Sequence, residues 1–101
     1  MEQPFKINVC KYVGGDIVQF HGNIDADADR YFDDFFKQIS NNRIVMDFSN
    51  TGRINSMGIA LLLRSIKRIK TEKQAEVSIK GLNQINNMLF RMTGIFQLAS
   101  E

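Results

Sequence analysis

An α/β fold, a mixed sheet with amphipathic helices packed chiefly on one face, is predicted from three features of the sequence. Ile44-Val45-Met46 is an uninterrupted apolar run, the pattern of a central strand covered on both faces. Ile59, Leu62, Leu63, Ile66 and Ile69 then recur at the spacing of one helical face. On either side, Phe5, Ile7 and Val9 alternate with Lys6, Asn8 and Cys10, and Glu76-Val77-Ser78-Ile79-Lys80 alternates in the same way, so strands flank the helical pattern.

Taken in order, the first alternating run and Ile17-Val18-Gln19-Phe20 are separated by Gly14-Gly15 and form a hairpin, with the first strand nearer an edge. Gly22-Asn23-Ile24-Asp25 ends the second strand. Asp25, Asp27 and Asp29 place negative charge where a helix begins, and Ala28, Phe32, Phe35, Phe36 and Ile39 give that helix its apolar face. Ser40-Asn41-Asn42 breaks it. The strand of Ile44 yields to the polar run Asp47-Phe48-Ser49-Asn50-Thr51-Gly52, after which Asn55 or Ser56 caps the central helix. Gly81 closes the later strand. A third helix carries Ile85, Met88, Leu89 and Met92 at core spacing, with both methionines filling gaps in the core, and Thr93-Gly94 stops it. Ile95-Phe96-Gln97-Leu98 is a last apolar segment, either an edge strand or a piece folded back on the sheet.

Composition excludes several classes of function. At 101 residues the chain reads as one domain, 1–101, large enough to bury a core without disulfide or metal. Its single cysteine, Cys10, reads as a small packing residue, and one histidine, His21, makes no zinc-ligand cluster. No signal sequence or membrane span is expected, which makes a soluble cytoplasmic protein the expectation. A net charge of +2 gives no argument for nucleic acid, and Arg64, Lys67, Arg68, Lys70 and Lys73 read as a solvated helix end. Asp29, Asp33 and Asp34 read as solvated carboxylates, because no second cluster completes a metal or acid–base site. No phosphate-binding glycine loop, nucleophile elbow or His-Glu metal motif is present, so neither enzymatic activity nor a cofactor is expected.

Ser56 has two readings from its residues alone, a plain helix cap or an accessible hydroxyl at the positive end of a helix. Met57, Leu61, Arg64 and Arg68 lie on a second stripe nearly opposite the core face. Met57 and Leu61 are therefore expected to be partly exposed, as part of a docking strip beside Ser56.

The order of elements and four short words resemble the STAS domain of bacterial anti-sigma factor antagonists. The words are Gly22-Asn23-Ile24-Asp25, Asp47-Phe48-Ser49, Ile54-Asn55-Ser56-Met57-Gly58 and Met92-Thr93-Gly94-Ile95-Phe96. The resemblance implies a single STAS-like domain acting as a partner switch. Such proteins bind a GHKL-type serine kinase that is also an anti-sigma factor, are phosphorylated by it on one serine, and are reset by a PP2C-type phosphatase. Ser56 aligns with the phosphoacceptor. Asp25, Asn55, Met57, Gly58, Leu61 and Arg64 are the candidate partner-contact residues, although Asp25 reads equally as a cap of the first helix. Many members carry Asp immediately before the phosphoacceptor, whereas this chain has Asn55, which can cap but lacks the charge. The output need not be a sigma factor, since the family also governs biofilm and stress pathways. Two other roles seen in STAS domains stay open here: a non-switching subunit bound to the ATPase of an ABC transporter, and a nucleotide-binding sensor.

Overall fold

A computed structural model describes residues 5–100. Its sheet has four strands in the order β1 (Lys6–Tyr12), β2 (Gly15–Ile24), β3 (Arg43–Ile54) and β4 (Glu76–Lys80). The β1–β2 pair is an antiparallel hairpin closed by Val13-Gly14, and the other two pairings are parallel, so the sheet is mixed. Parallel neighbours need crossovers, which are supplied by α1 (Asp29–Gln38) and α2 (Ser56–Glu72). After β4 come α3 (Gln84–Thr93) and a single 3-10 turn, Ile95–Gln97. As expected, β3 is internal and β1 lies at an edge.

One sheet face presents Val18, Phe20, Ile44, Met46, Phe48, Val77 and Ile79, all buried beneath the helices. Ile59, Leu62, Ile66 and Ile69 of α2 and Phe32, Phe35 and Phe36 of α1 complete this core, while Leu63 is only half-buried. Phe20 and Phe48 stack at 4.8 Å between ring centroids, and Phe90 meets Phe48 edge-on at 5.3 Å. These contacts tie β2, β3 and α3 together through rings whose offset and edge-on pairings add to their burial. The opposite sheet face carries Asn8, Cys10, Gln19, His21, Val45 and Asp47, and none of them is buried. Two expectations are corrected by this one-sided packing. Val45 is half-exposed, so β3 is not covered on both faces, and Cys10 is exposed because its position in the alternation points away from the helices.

The strand of Ile44 is also longer than its apolar run. Asn50, Thr51 and Ile54 continue to pair with β2, across two register shifts, and the Thr51 hydroxyl donates to the Phe20 carbonyl at 3.2 Å. Main-chain ladder bonds do not depend on side-chain polarity, and Phe48 holds the segment against the core. The last apolar segment folds back. After its 3-10 turn, Ser100 bridges Ser78 on the outer edge of β4, with Ser100 N–H donating to Val77 O and Ile79 N–H to Ser100 O.

Asp16, at the start of β2, is fully buried. It accepts hydrogen bonds from the amides of Ser40 and Asn41 and from Asn41 Nδ2, and its Oδ1 lies 3.0 Å from Lys11 Nζ. Burial pushes this carboxyl up, but the Ser40 amide, the Lys11 ammonium and the Asn41 donors outweigh it and hold the group below its ordinary range. A folded-state value below the unfolded one stabilises fully above an unfolded value of about 3.9, and this contribution disappears as pH falls through the folded value. Asp16→Asn is therefore expected to cost about 2 kcal/mol in urea denaturation at neutral pH. Repeating the titration near the acid end of that window should shrink the gap between variant and wild type. A pH-independent gap would mean that the charge of Asp16 is not what matters.

Candidate functional site

The site forms where the ends of β2 and β3 meet the start of α2. Asn55 has extended backbone geometry, and its Oδ1 accepts from the Gly58 amide at 2.9 Å, which makes Asn55 the N-cap and Ser56 the first helical residue. Its position is fixed from below by the Asn55 amide donating to the Ile24 carbonyl at 3.2 Å. Asn23 Oδ1 accepts from the Arg53 amide at 2.8 Å, and from the other side Asn86 Nδ2 donates to the Gly52 carbonyl at 2.9 Å. Both flanks of the β3–α2 turn are thus pinned by asparagine side chains. Sequence reasoning missed Asn23 and Asn86 as positioning residues. Asn86 had a signal, since Asn83 caps α3 through the Asn86 amide three residues on.

The structure brings Ser56 and Met57 together at the surface, with Met57 54% exposed. Among the described residues, the Ser56 hydroxyl makes no hydrogen bond, because the capping bond belongs to Asn55. No acidic residue occupies the first turn of α2, so the unpaired amides and the helix dipole leave this corner favourable to an anion. Asp25 lies across a cleft of about 250 Å³ lined also by Asn23, Arg53 and Asn55. Its Oδ1 caps the 3-10 turn Ala26–Ala28 by accepting from the Asp27 amide at 3.0 Å.

Two expectations about this site, for Leu61 and Gly58, are corrected. Leu61 is only 4% exposed. It faces Phe32 and Phe36, because α1 lies alongside α2 and covers the flank that the helical phase alone left open. Gly58 is buried beneath the helix start, where a Cβ would come within 2.2 Å of the Ile24 carbonyl oxygen, so it offers closeness of packing and no contact surface. Arg64 is exposed but engaged, pairing with Asp29 at 3.1 Å, while Arg68 pairs with Asp33 and lies 3.9 Å from the Phe36 ring centroid. These arginines clasp α1 to α2. The basic helix end is likewise more than solvated: Lys70 donates to the Leu98 carbonyl and Lys73 to the Ile39 carbonyl.

A third correction concerns α3. Ile85, Met88 and Met92 are 78%, 59% and 81% exposed, so the methionines do not fill the core. The inward edge of this helix is formed instead by Asn86 and Phe90, both buried, and the apolar stripe is turned outward.

Asp47, in the second of the family-like words, accepts from both the amide and the hydroxyl of Ser49, at 3.0 and 2.6 Å. Burial raises this carboxyl, but the Ser49 donors, with Lys80 and His21 nearby, lower it overall. Gly81, with φ +81°, packs against this pair, where a Cβ would lie 2.4 Å from Ser49 Oγ. The word Asp-Phe-Ser therefore lies within β3, where Asp47 pairs with the last residue of β4, and the hydroxyl of Ser49 is occupied.

A STAS-domain family model matches residues 8–99. The chain belongs to the STAS-domain family. Among solved structures, it is similar to an anti-sigma factor antagonist from Mycobacterium paratuberculosis, with a TM-score of 0.73 at 17% identity over 95% of this chain and 83% of that one. It is also similar to the anti-sigma factor antagonist SpoIIAA in its unphosphorylated form, with a TM-score of 0.63 at 13% identity over 88% and 83% of the two chains. An antisigma-factor antagonist STAS domain from Rhodobacter sphaeroides gives a TM-score of 0.59 at 19% identity over 76% of this chain and 86% of that one. No curated protein sequence matches significantly. At these identities the likeness is one of fold, and it establishes a STAS fold of the anti-sigma factor antagonist type. Among the described residues, no helix of this STAS domain is long and apolar enough to cross a membrane, and no cluster of His, Cys, Asp or Glu could hold a metal.

Proposed function

We propose that this STAS domain is a partner-switching regulator whose binding to a GHKL-type serine kinase/anti-sigma factor is controlled by phosphorylation of Ser56 and reset by a PP2C-type phosphatase. The observation that carries this reading is the exposed, unengaged hydroxyl of Ser56 at the first position of α2, beside exposed Met57 and within the family-like word Ile54-Asn55-Ser56-Met57-Gly58. The other described serines lack that combination. Ser40 Oγ is held by Lys11 and Ser49 Oγ by Asp47, Ser65 is buried, and Ser78 and Ser100 face each other at the edge of β4. Asn55 performs the capping that an Asp would perform there, with one negative charge fewer next to the phosphate. Arg53 and Asp25 line the adjoining cleft and are placed to meet charges of a bound partner.

Incubation with ATP and the GHKL-type serine kinases of the host, followed by mapping of phosphate by mass spectrometry, tests the assignment. One phosphate on Ser56 is expected, removable by a PP2C-type phosphatase. Ser56→Ala should accept none and keep the wild-type thermal midpoint, since no cap is lost with the hydroxyl. Phosphate on another serine, or on none, contradicts the assignment. Met57→Asp is expected to weaken kinase binding about tenfold with the midpoint unchanged, because Met57 is an exposed apolar contact. Wild-type affinity in that variant would remove Met57 from the contact surface.

A further inference from the structure

The outward stripe of α3 is the molecule's most unusual surface. Ile85, Met88, Leu89 and Met92 follow the i, i+3, i+4, i+7 spacing that amphipathic helices ordinarily bury, yet here it borders an open groove of about 550 Å³ against Arg53 and Asn55. Its shape favours a protein occupant. A small-molecule site encloses most of its ligand, whereas two of these side chains stand about four-fifths exposed. A helical apolar stripe flanking a groove, with two flexible thioethers in it, is the surface that takes up an amphipathic helix.

Charge narrows the occupant further. From Val77 to Ser100 the sequence holds no Asp or Glu, and Arg91 adds a positive charge to the exposed surface of α3. Arg53, at the other wall of the groove, makes no ion pair among the described residues. A second copy of this chain would bring arginine to arginine. A partner carrying carboxylates beside its apolar face would be complementary. Asn55 belongs to both regions, capping the helix that begins at Ser56 and lining the groove, so the surface around Ser56 adjoins the groove.

We propose that the groove between the β3–α2 turn and α3 receives an acidic-flanked amphipathic helix of the kinase that phosphorylates Ser56, its apolar face on Ile85, Met88 and Met92 and a carboxylate on Arg53. This inference rests on the partner-switch reading. Its test uses the GHKL-type kinase shown to phosphorylate Ser56, with Met88→Asp, Met92→Asp and Arg53→Glu in the full chain. Since these side chains are exposed, thermal midpoints should match wild type. Kinase affinity and the kcat/KM for phosphorylation of Ser56 should each fall about tenfold or more, and the loss in Arg53→Glu should lessen at high salt. Unchanged kinetics in all three variants, with Ser56 still phosphorylated in wild type, would overturn the groove and leave the switch standing. If no GHKL-type kinase phosphorylates Ser56, the switch fails and this proposal fails with it. A wild-type dimer by light scattering that becomes monomeric in Met88→Asp would make the occupant a second copy and overturn the proposal as well.

Discussion

Gly58→Ala is expected to destabilise the protein by about 3 kcal/mol, near the upper end of the usual cost of overpacking. In an exposed helix the same change would help, because alanine is favoured over glycine by about 1 kcal/mol. Here the added Cβ would lie 2.2 Å from the carbonyl oxygen of Ile24 and 2.8 Å from its carbonyl carbon. Those are backbone atoms at the end of β2, and they cannot rotate away. Relief requires the start of α2 to lift from the sheet, which would break the Asn55 N–H to Ile24 O bond. For a domain of this size the loss corresponds to a fall in thermal midpoint of about 15 °C. A midpoint unchanged or raised in calorimetry would show that the helix start is not held against β2 as described. The expected cost also links fold to function, because the motion that relieves the clash displaces Ser56.

Much of this arrangement was legible in the sequence because local signals and long-range packing agree there. The hairpin and the helix beginning at Ser56 each have a periodicity or a cap that the structure uses unchanged, and the strand of Ile44 is internal although only one of its faces is covered. The failures share one cause: a periodic stripe gives the phase of a face but not the neighbour that covers it. Leu61 lies off the main apolar face of α2, yet Phe32 and Phe36 of α1 cover it. Ile85, Met88 and Met92 have core spacing, yet α3 is anchored by the ring of Phe90 and the bond from Asn86 to Gly52, which turn the stripe outward. Asp16 gave no warning at all. Its burial depends on Lys11, across the hairpin, and on the amides of Ser40 and Asn41, which lie 24 and 25 residues further along the chain. In the site itself, the serine, its cap and exposed Met57 were readable, while the clasp of Arg64 on Asp29 and the asparagines that pin the turn needed the tertiary structure.

Phosphorylation of Ser56 is expected to lower affinity for the kinase about a hundredfold, some 2.7 kcal/mol, while leaving the fold intact. The two effects separate because they act on different sides of the hydroxyl. Toward the protein, a phosphate carrying roughly −1.5 to −2 charges sits at the first turn of α2, where unpaired amides and the dipole favour it. Toward the partner, the same group stands beside exposed Met57, on a surface that closes only by removing water from a dianion. Ser56→Asp should show a smaller loss, since one carboxylate carries less charge.

The most direct measurement is the affinity of the kinase for three preparations of the chain: unmodified, stoichiometrically phosphorylated on Ser56, and phosphorylated then treated with a PP2C-type phosphatase. The predicted result is tight binding, a loss of about a hundredfold, and full recovery, with equal thermal stability throughout. Equal affinity in all three preparations would contradict the switch.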